Sequence, residues 1–325
     1  MTEHVPRVIA WETTRRCALR CKHCRGAARD ENYRGELSTE ECLKVIDSIA
    51  AFAKPILILT GGEPMARDDI YTLARHATDA GLRVVMAPCG HLITPEPAAK
   101  LQDAGVMAIS ISIDGATPEA HDAFRGVPGA YARTIEGLQH AIAAGIPFQI
   151  NTTVTRDNVD DLPAIHDLAV SLGAAKFDVF FLVPTGRGSA LSDLALSPTE
   201  SEAALKWVLE KSRTSPMSIK LTCAPHSVRL WGQMQGEAPV VSRGGGHPGG
   251  HPGGIPGGHG GKRPPMSPAT GCMAGDGFVF ISHTGILQPC GFLDVASGDL
   301  RSVDLDFQRA YRESTVFASL WDKSG

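Results

Sequence analysis

The sequence predicts an α/β fold in which parallel strands alternate with helices. Three observations lead to this prediction. Apolar runs of strand length alternate with longer amphipathic runs six times between residues 7 and 198. Capping residues stand where several amphipathic runs begin, and polar motifs directly follow several apolar runs. Because this rhythm places parallel strands side by side with right-handed crossovers, the polar motifs are expected to meet at the carboxyl edge of the strands.

The six predicted units follow one another along the chain. Ser38 with Glu41 three residues later forms a capping box that starts the first helix, and Ser197 before Pro198 caps the last. The predicted strands span 7–14, 55–60, 83–88, 108–114, 147–155 and 176–183. The predicted helices span 38–54, 70–81, 95–105, 131–145 and 159–173, and the last begins at 197. An open sheet and a barrel both satisfy this pattern.

Composition divides the chain into three predicted regions, which are 1–236, 237–268 and 269–325. The middle region contains HPGGHPGGIPGGHGG, a low-complexity loop that has no means of packing a core. Its histidines His247, His251 and His259 are either part of a solvated insertion, which the composition favours, or weak ligands for copper, nickel or heme. The last region opens with FVFIS, HTG and ILQPC, which together predict a β-hairpin.

Bulk properties exclude several classes of protein. The net charge is -4 and the isoelectric point is about 6.3, which argues against a general binder of nucleic acids or membrane surfaces. The start of the chain lacks a secretion signal, and the apolar runs are too short to span a bilayer. A cytoplasmic protein is therefore expected. In that reducing compartment its eight cysteines are expected to be ligands, catalysts or buried thiols rather than disulfides.

Three cysteines follow the first predicted strand in CALRCKHC, at Cys17, Cys21 and Cys24. A structural zinc site usually takes four protein ligands in two pairs, and no fourth cysteine stands nearby, since Cys42 lies on a helix and is expected in the core. Three thiolates instead suit a [4Fe-4S] cluster whose fourth iron is open to a substrate or cofactor. Zinc remains the rival interpretation of these residues.

The motif resembles the signature of the radical S-adenosylmethionine (SAM) superfamily. His23 departs from the aromatic residue that the family usually has before the last cysteine. The sequence Gly61-Gly62-Glu63-Pro64 after the second strand is similar to the family's GGEP motif. The resemblance implies a partial (β/α)6 barrel in which the three cysteines hold a [4Fe-4S] cluster and the open iron binds SAM. It further implies SAM-binding roles for the following residues: Gly61, Gly62, Glu63, Pro64, Ser112, Asp114 and Asn151.

The C-terminal region resembles the opening of a SPASM domain, which holds auxiliary iron-sulfur clusters. Cys272, Gly285 and Cys290 have the family's spacing, but the further cysteines of that domain do not follow them. The resemblance implies a partial auxiliary site at Cys272 and Cys290, and the alternative is a pair of hairpin thiols. Cys223 and His226 in TCAPH are further candidate ligands, or else a buried thiol and a capping histidine.

Residues 7–236 and 270–320 together resemble the radical SAM heme synthases of the siroheme-dependent pathway, in segments such as ILTGGEPMARDDIY, LVPTGRG and GFVFISHTGILQPCGF. The resemblance implies oxidative decarboxylation of two propionates of iron-coproporphyrin III to vinyl groups, giving heme b, through a 5'-deoxyadenosyl radical. It also implies a low-potential electron donor such as flavodoxin or ferredoxin. The alternatives are a peptide-modifying or heme d1-pathway enzyme of the same fold, and a metal- or heme-binding protein without turnover.

A substrate with several carboxylates needs cationic anchors, and guanidinium binds carboxylate in a bidentate manner. The candidates for this role are Arg125, Arg187 and Arg229. The alternative for each is an ordinary surface or structural arginine.

Overall fold

A computed structural model describes residues 4–234 and 272–322 of the chain. The predicted glycine- and histidine-rich loop, with His247, His251 and His259, lies outside the described residues. Within these ranges, no helix has the length and apolar content needed to cross a lipid bilayer.

The predicted alternation of strands and helices is confirmed. The strands are β1 (Val8–Thr14), β2 (Ile56–Gly61), β3 (Arg83–Met86), β4 (Ala108–Ser112), β5 (Phe148–Val154), β6 (Lys176–Phe181), β7 (Ser218–Thr222), β8 (Phe278–Ile281), β9 (Ile286–Gln288) and β10 (Gly298–Asp299). The helices are α1 (Thr39–Phe52), α2 (Ile70–Asp79), α3 (Pro95–Asp103), α4 (Pro118–Arg125), α5 (Ala130–Ala143), α6 (Leu162–Ser171), α7 (Pro198–Thr214), α8 (Ser227–Met234), α9 (Phe307–Arg312) and α10 (Thr315–Trp321).

The helix starts agree with the capping signals in the sequence. The hydroxyl of Ser38 accepts a hydrogen bond from the backbone N–H of Glu41, and the Glu41 carboxylate accepts one from the N–H of Ser38. Ser197 and Glu200 form the same reciprocal pair at the start of α7. Each pair satisfies two backbone donors that have no partner inside the helix, which fixes where the helix begins.

One sheet contains all ten strands of the described residues, in the order β10-β9-β8-β1-β2-β3-β4-β5-β6-β7. The strands from β1 to β7 are parallel, as the sequence predicts. The predicted C-terminal hairpin is present as β8 and β9, and β8 also pairs with β1 in parallel, which the sequence pattern does not indicate. The N- and C-terminal regions therefore share one sheet. Strand β7 and helix α4 are further elements that the sequence analysis does not predict.

The sheet is curved, so that its two ends approach each other. Cys223 follows β7 at one end, and Cys290 follows β9 near the other. Burial and then the negative charges of Cys290 and Cys272 raise the pKa of Cys223 to about 12. The backbone N–H of Arg187, after β6, donates to the carbonyl oxygen of Cys24, after β1, at 3.0 Å. Seven strands separate β7 from β9 in the sheet order, so the ends of these two strands can approach each other only if the sheet curls. Within the described residues β7 and β10 remain edge strands, which makes this an open barrel.

Candidate active site

The loop after β1 holds the three predicted cluster ligands. Cys17 and Cys21 are buried, and Cys24 is half-buried. The backbone N–H of Leu19 donates to the Sγ of Cys17 at 3.4 Å, and that of Ala28 donates to the Sγ of Cys24 at the same distance. Hydrogen bonds of this kind stabilise thiolates and tune the potential of a cluster that they hold.

Burial opposes ionisation of these thiols when no cation is bound. It raises the pKa of Cys17 to about 12, and it raises the pKa of Cys21 although the Arg125 guanidinium acts in the opposite direction. Since iron is bound by thiolate, loading the site releases protons, and the bound iron supplies the positive charge that the thiolates need.

Arg187 stabilises the cysteine loop from the far side of the sheet. Its backbone N–H donates to the carbonyl oxygen of Cys24 at 3.0 Å, and its Nε donates to the carbonyl oxygen of Cys21 at 3.0 Å. Its Nη1 also donates to the carbonyl oxygen of Ala28, at 2.6 Å. These bonds hold Arg187 against the loop backbone, while its Nη2 is buried without a hydrogen-bond partner among the described residues. Its predicted role as a substrate anchor remains a prediction.

Arg125 and Asp114 form a buried ion pair beneath the same loop. The Nη2 of Arg125 contacts the Oδ2 of Asp114, and its Nη1 donates to the Sγ of Cys21 at 3.5 Å. The Oδ1 of Asp114 accepts from the backbone N–H of Thr153 at 2.7 Å. Both side chains are therefore occupied inside the protein. Asp114 and Arg125 thus engage each other beneath the loop, and their predicted roles in binding SAM and a substrate carboxylate remain predictions.

The Gly61-Gly62-Glu63-Pro64 turn packs directly against the backbone of the cysteine loop. The N–H of Gly62 donates to the carbonyl oxygen of Thr14, and that of Glu63 donates to the carbonyl oxygen of Arg16, both at 2.8 Å. A Cβ on Gly61 or Gly62 would overlap carbonyl oxygens of that loop. The two glycines are thus required for this close approach, and Pro64 then begins a single turn of 3-10 helix.

Cys89, just after β3, is a site residue that the sequence analysis misses. The buried Glu63 carboxylate accepts hydrogen bonds from the backbone N–H of Met65 at 3.0 Å and from that of Cys89 at 2.7 Å. The Cys89 thiol also donates to Glu63, and this bond lowers the pKa of the carboxyl, although burial raises that pKa overall. The position of Cys89 at the carboxyl end of a strand, like the other motifs, is the signal that would have found it.

Ser112, the last residue of β4, pairs with Asn151, in the middle of β5. Both are half-buried, and the Oδ1 of Asn151 accepts from the Nε2 of Gln149 at 2.8 Å. They lie on the same strand edge as the cysteine loop and the GGEP turn, as the parallel sheet requires. Their predicted contact with SAM remains a prediction.

His23 keeps the packing role of the aromatic residue that it replaces. Its imidazole stacks on the ring of Phe124, with the ring centroids 4.7 Å apart. Burial lowers the pKa of His23 to about 4, so the ring is neutral at neutral pH. A neutral ring stacks on Phe124 without the cost of burying a charge.

The second group of cysteines comes from three separate parts of the chain. Cys223 and Cys290 are half-buried and Cys272 is exposed, and the charges of Cys272 and Cys290 both act on Cys223. The predicted auxiliary ligands Cys272 and Cys290 thus act electrostatically on Cys223, and their binding of a cluster remains a prediction. The backbone N–H of Phe292 donates to the Sγ of Cys290 at 3.4 Å.

His226 and Arg229 lie on the outer surface near α8. The imidazole of His226 meets the ring of Phe181 edge-on, at 6.1 Å between centroids. The exposed Arg229 pairs with Glu202 and donates to Gln233 at 3.0 Å. Arg229 is thus exposed and paired at the surface, and its predicted role in binding a substrate carboxylate remains a prediction.

Across residues 4–234 and 272–322, no three side chains of histidine, cysteine, aspartate or glutamate are grouped as the ligands of a single metal ion. The three cysteines of the first loop lie in a single stretch of chain with N–H donors on two sulfurs and a guanidinium on the third. This donor set suits an iron-sulfur cluster held by three thiolates.

Comparison with known proteins identifies the family. The model of the radical SAM superfamily matches residues 11–169. The AdoMet-dependent heme synthase of Methanosarcina barkeri is 43% identical over 319 residues, which cover 98% of this chain and 86% of that protein. The chain belongs to the radical SAM superfamily. As a radical SAM enzyme it uses a [4Fe-4S] cluster and SAM, and the cysteine loop and the GGEP turn described above fit these groups.

Two further comparisons bear on the extent of the similarity. The Fe-coproporphyrin III synthase of the same organism is 39% identical over 206 residues, which cover 63% of this chain and 51% of that protein. The crystal structure of Streptococcus suis SuiB bound to precursor peptide SuiA has a TM-score of 0.75 at 14% identity, covering 98% of this chain and 67% of that one. At 14% identity, the similarity to SuiB shows a shared fold and nothing more.

Proposed function

We propose that the protein is a heme synthase that oxidatively decarboxylates two propionates of iron-coproporphyrin III to vinyl groups, giving heme b. The observation that carries the proposal is the 43% identity to a protein named AdoMet-dependent heme synthase, which extends over 98% of the chain. The similarity to the Fe-coproporphyrin III synthase covers only 63% of the chain. The similarity to the AdoMet-dependent heme synthase therefore includes the C-terminal part with Cys272 and Cys290.

The chain's own residues would divide the work between two sites. Cys17, Cys21 and Cys24 would hold the [4Fe-4S] cluster, and Glu63 would accept the SAM ammonium while Cys89 orients its carboxylate. When bound and reduced, these two cofactors together supply a carbon-centred radical that removes a hydrogen atom. The inner face of the curved sheet would hold the substrate close to this edge and keep water away from it.

Each oxidative decarboxylation leaves one electron that must depart from the substrate. Cys223, Cys272 and Cys290 form the residue set that would hold an auxiliary iron-sulfur cluster able to take it up. The electrostatic influence of Cys272 and Cys290 on Cys223, itself a candidate ligand in the sequence, supports that role. An external low-potential donor such as flavodoxin or ferredoxin would reduce the first cluster.

The test is an anaerobic turnover assay. The reconstituted protein is incubated with SAM, a reductant and iron-coproporphyrin III, and the products are separated by liquid chromatography and identified by mass spectrometry. We expect 5'-deoxyadenosine together with mono- and divinyl porphyrins that have each lost carbon dioxide. Deoxyadenosine without any vinyl product would assign the chemistry to another substrate, such as a peptide or a heme d1 precursor. Absence of deoxyadenosine with every reductant would contradict the proposal.

A further inference from the structure

The inner face of the open barrel has two unlike walls. Strand side chains alternate between faces, and Phe177 and Val179 point outward, since both are fully buried in the core and Phe177 contacts His166 of α6. Lys176 and Asp178 therefore point inward. By the same alternation, the wall formed by β1, β2 and β8 carries the apolar inward side chains Val8, Ala10, Ile58 and Phe280. Glu12, paired with Arg15 and Arg25, follows them toward the strand ends. The wall formed by β4 to β7 carries polar ones, namely Ser112, Gln149, Asn151, Lys176, Asp178 and Lys220.

The polar wall contains one buried carboxylate, and its charge is already balanced. Asp178 pairs with Lys220, with 3.1 Å between Nζ and Oδ2, and its Oδ1 accepts from the hydroxyl of Thr222 at 2.7 Å. The side chain of Asp178 is only 3% exposed, so this pairing is what makes its charge tolerable there.

Lys176 is a second cation on this wall. It is half-buried at the start of β6. On the neighbouring strand it lies opposite Ser218, two residues before Lys220. Its ammonium makes no hydrogen bond or ion pair with residues 4–234 or 272–322. Burial and next the charge of Lys220 lower the pKa of Lys176, and Asp178 only partly offsets them. Two ammonium groups of this wall therefore share one carboxylate; that of Lys220 is paired and 55% exposed, whereas that of Lys176 is half-buried without a carboxylate of its own on this wall.

We propose that Lys176, with Lys220 beside it, forms a subsite that binds a carboxylate of the substrate inside the barrel. The inference rests on the proposed function, because iron-coproporphyrin III carries propionates around an apolar ring. The ring face fits the wall of Val8, Ala10 and Phe280, while a propionate reaches the lysines on the other wall. A bound carboxylate supplies the missing counter-charge and accepts hydrogen bonds from Lys176.

The arginines that the sequence analysis proposes for this task are engaged elsewhere. Arg125 pairs with Asp114, Arg187 binds the cysteine loop and Arg229 pairs with Glu202 on the surface. Lys176 differs from all three because its ammonium makes no hydrogen bond or ion pair within the described residues. Since it begins its strand, it also lies deeper in the barrel than the motif residues that follow the strands.

The test measures binding rather than turnover. Iron-coproporphyrin III is titrated into the reconstituted full-length protein, and the change in the Soret band gives the dissociation constant. We expect Lys176→Met to raise this constant by about tenfold or more, which is the effect of losing one charge-assisted bond. Lys176→Arg keeps the charge and should stay close to wild type. The control is Lys206→Met, which removes an exposed lysine from α7.

The tetramethyl ester of the same porphyrin isolates the carboxylate contribution. It should bind wild type and Lys176→Met equally, because it has no charge to pair with the ammonium. If the two proteins bind the free acid with the same dissociation constant, the subsite is wrong while the proposed function stands.

If the protein binds no porphyrin, a small dicarboxylate can still test the carboxylate subsite separately from the proposed heme synthase function. Reductive methylation with a carbon-13 label gives each lysine an NMR signal, and the Lys176 signal is the one missing from Lys176→Met. Glutarate should shift the Lys176 signal more than that of Lys206. If wild type binds no porphyrin but glutarate shifts Lys176, the proposed function fails and the carboxylate subsite stands. If glutarate leaves the Lys176 signal in place, the subsite is overturned.

Discussion

The two groups of cysteines are built in different ways. Cys17, Cys21 and Cys24 belong to one loop, which receives hydrogen bonds from Arg125, Arg187 and its own backbone. Cys223, Cys272 and Cys290 come from both ends of the sheet and meet only because the sheet curls. The first group is therefore fixed by local structure, and the second depends on the closure of the whole barrel.

Because the two groups are built differently, the loss of one cysteine should have different effects on the two sites. Hydrogen-bond donors around the first site raise the free-energy cost of disturbing it, whereas Cys272 at the second site is exposed to solvent.

Cys21→Ala should abolish SAM cleavage and remove the iron of the first site, because two thiolates and a methyl group cannot hold the cluster. Cys290→Ala should remove iron only from the second site and leave SAM cleavage in place. Iron content, the visible spectrum and deoxyadenosine release measure the two effects. Cys42→Ala is the matched control, since Cys42 is fully buried in the core on α1 and should leave both sites loaded. Retention of the cluster and of SAM cleavage in Cys21→Ala would contradict the ligand assignment.

Arg125→Met should lower the free energy of unfolding by about 3–5 kcal/mol, because it leaves the Asp114 carboxylate buried without a counter-charge. Arg229→Met removes an arginine near the second site from an exposed pair with Glu202, and should cost less than about 1 kcal/mol. Chemical denaturation of both variants measures the difference. Equal losses would show that the ion pair beneath the cysteine loop gives the first site no special stability.

The sequence predicts the scaffold better than it predicts the side-chain roles. The capping box at Ser38 and the alternating pattern locate helices and strands because both depend on neighbouring residues. The contact of β8 with β1 depends on residues about 270 positions apart, for which the chain carries no local signal. For the same reason Arg125 and Arg187 look like substrate anchors in the sequence, whereas the fold turns both toward the cysteine loop.

The inward positions of the strands contain information that the sequence analysis leaves unused. Lys176 and Asp178 alternate with Phe177 and Val179, so a charged and an apolar face are visible in KFDVFF itself. What the sequence alone does not give is which face lies inside the barrel. That assignment follows only once α6 is seen to pack on Phe177.

Acid should destabilise the protein through His121, which lies beneath the first site. Burial lowers the pKa of His121 to about 4, and its Nδ1 accepts a hydrogen bond from the backbone N–H of Asp114 at 3.2 Å. The imidazole is thus neutral in the folded protein but takes up a proton near pH 6.5 when unfolded. Its stabilising contribution is complete above about pH 6.5 and is lost as the pH falls through about 4, by about 3 kcal/mol in total.

Urea denaturation between these pH values tests this directly. In His121→Leu the dependence of the unfolding free energy on pH should be weaker by up to about 1.4 kcal/mol per pH unit. At neutral pH the same variant should be about 1 kcal/mol less stable, because the Asp114 N–H loses its acceptor. Identical slopes for variant and wild type would show that His121 titrates alike in the folded and unfolded chains.

The smallest effect concerns Cys89, whose thiol distinguishes the first site from a simple three-cysteine loop. If Glu63 receives the SAM ammonium, Cys89→Ala should weaken SAM binding by about fivefold, since one hydrogen bond that orients and ionises the carboxylate is lost while the backbone bond at 2.7 Å remains. Cys89→Ser restores a hydrogen-bond donor and should bind SAM like wild type. If the thiol only filled space, serine would have no reason to restore binding. Equilibrium binding of SAM to the reconstituted variants measures this, with iron content as the check that the cluster is intact. If alanine and serine behave alike, Cys89 acts through packing and the hydrogen bond to Glu63 contributes nothing to SAM recognition.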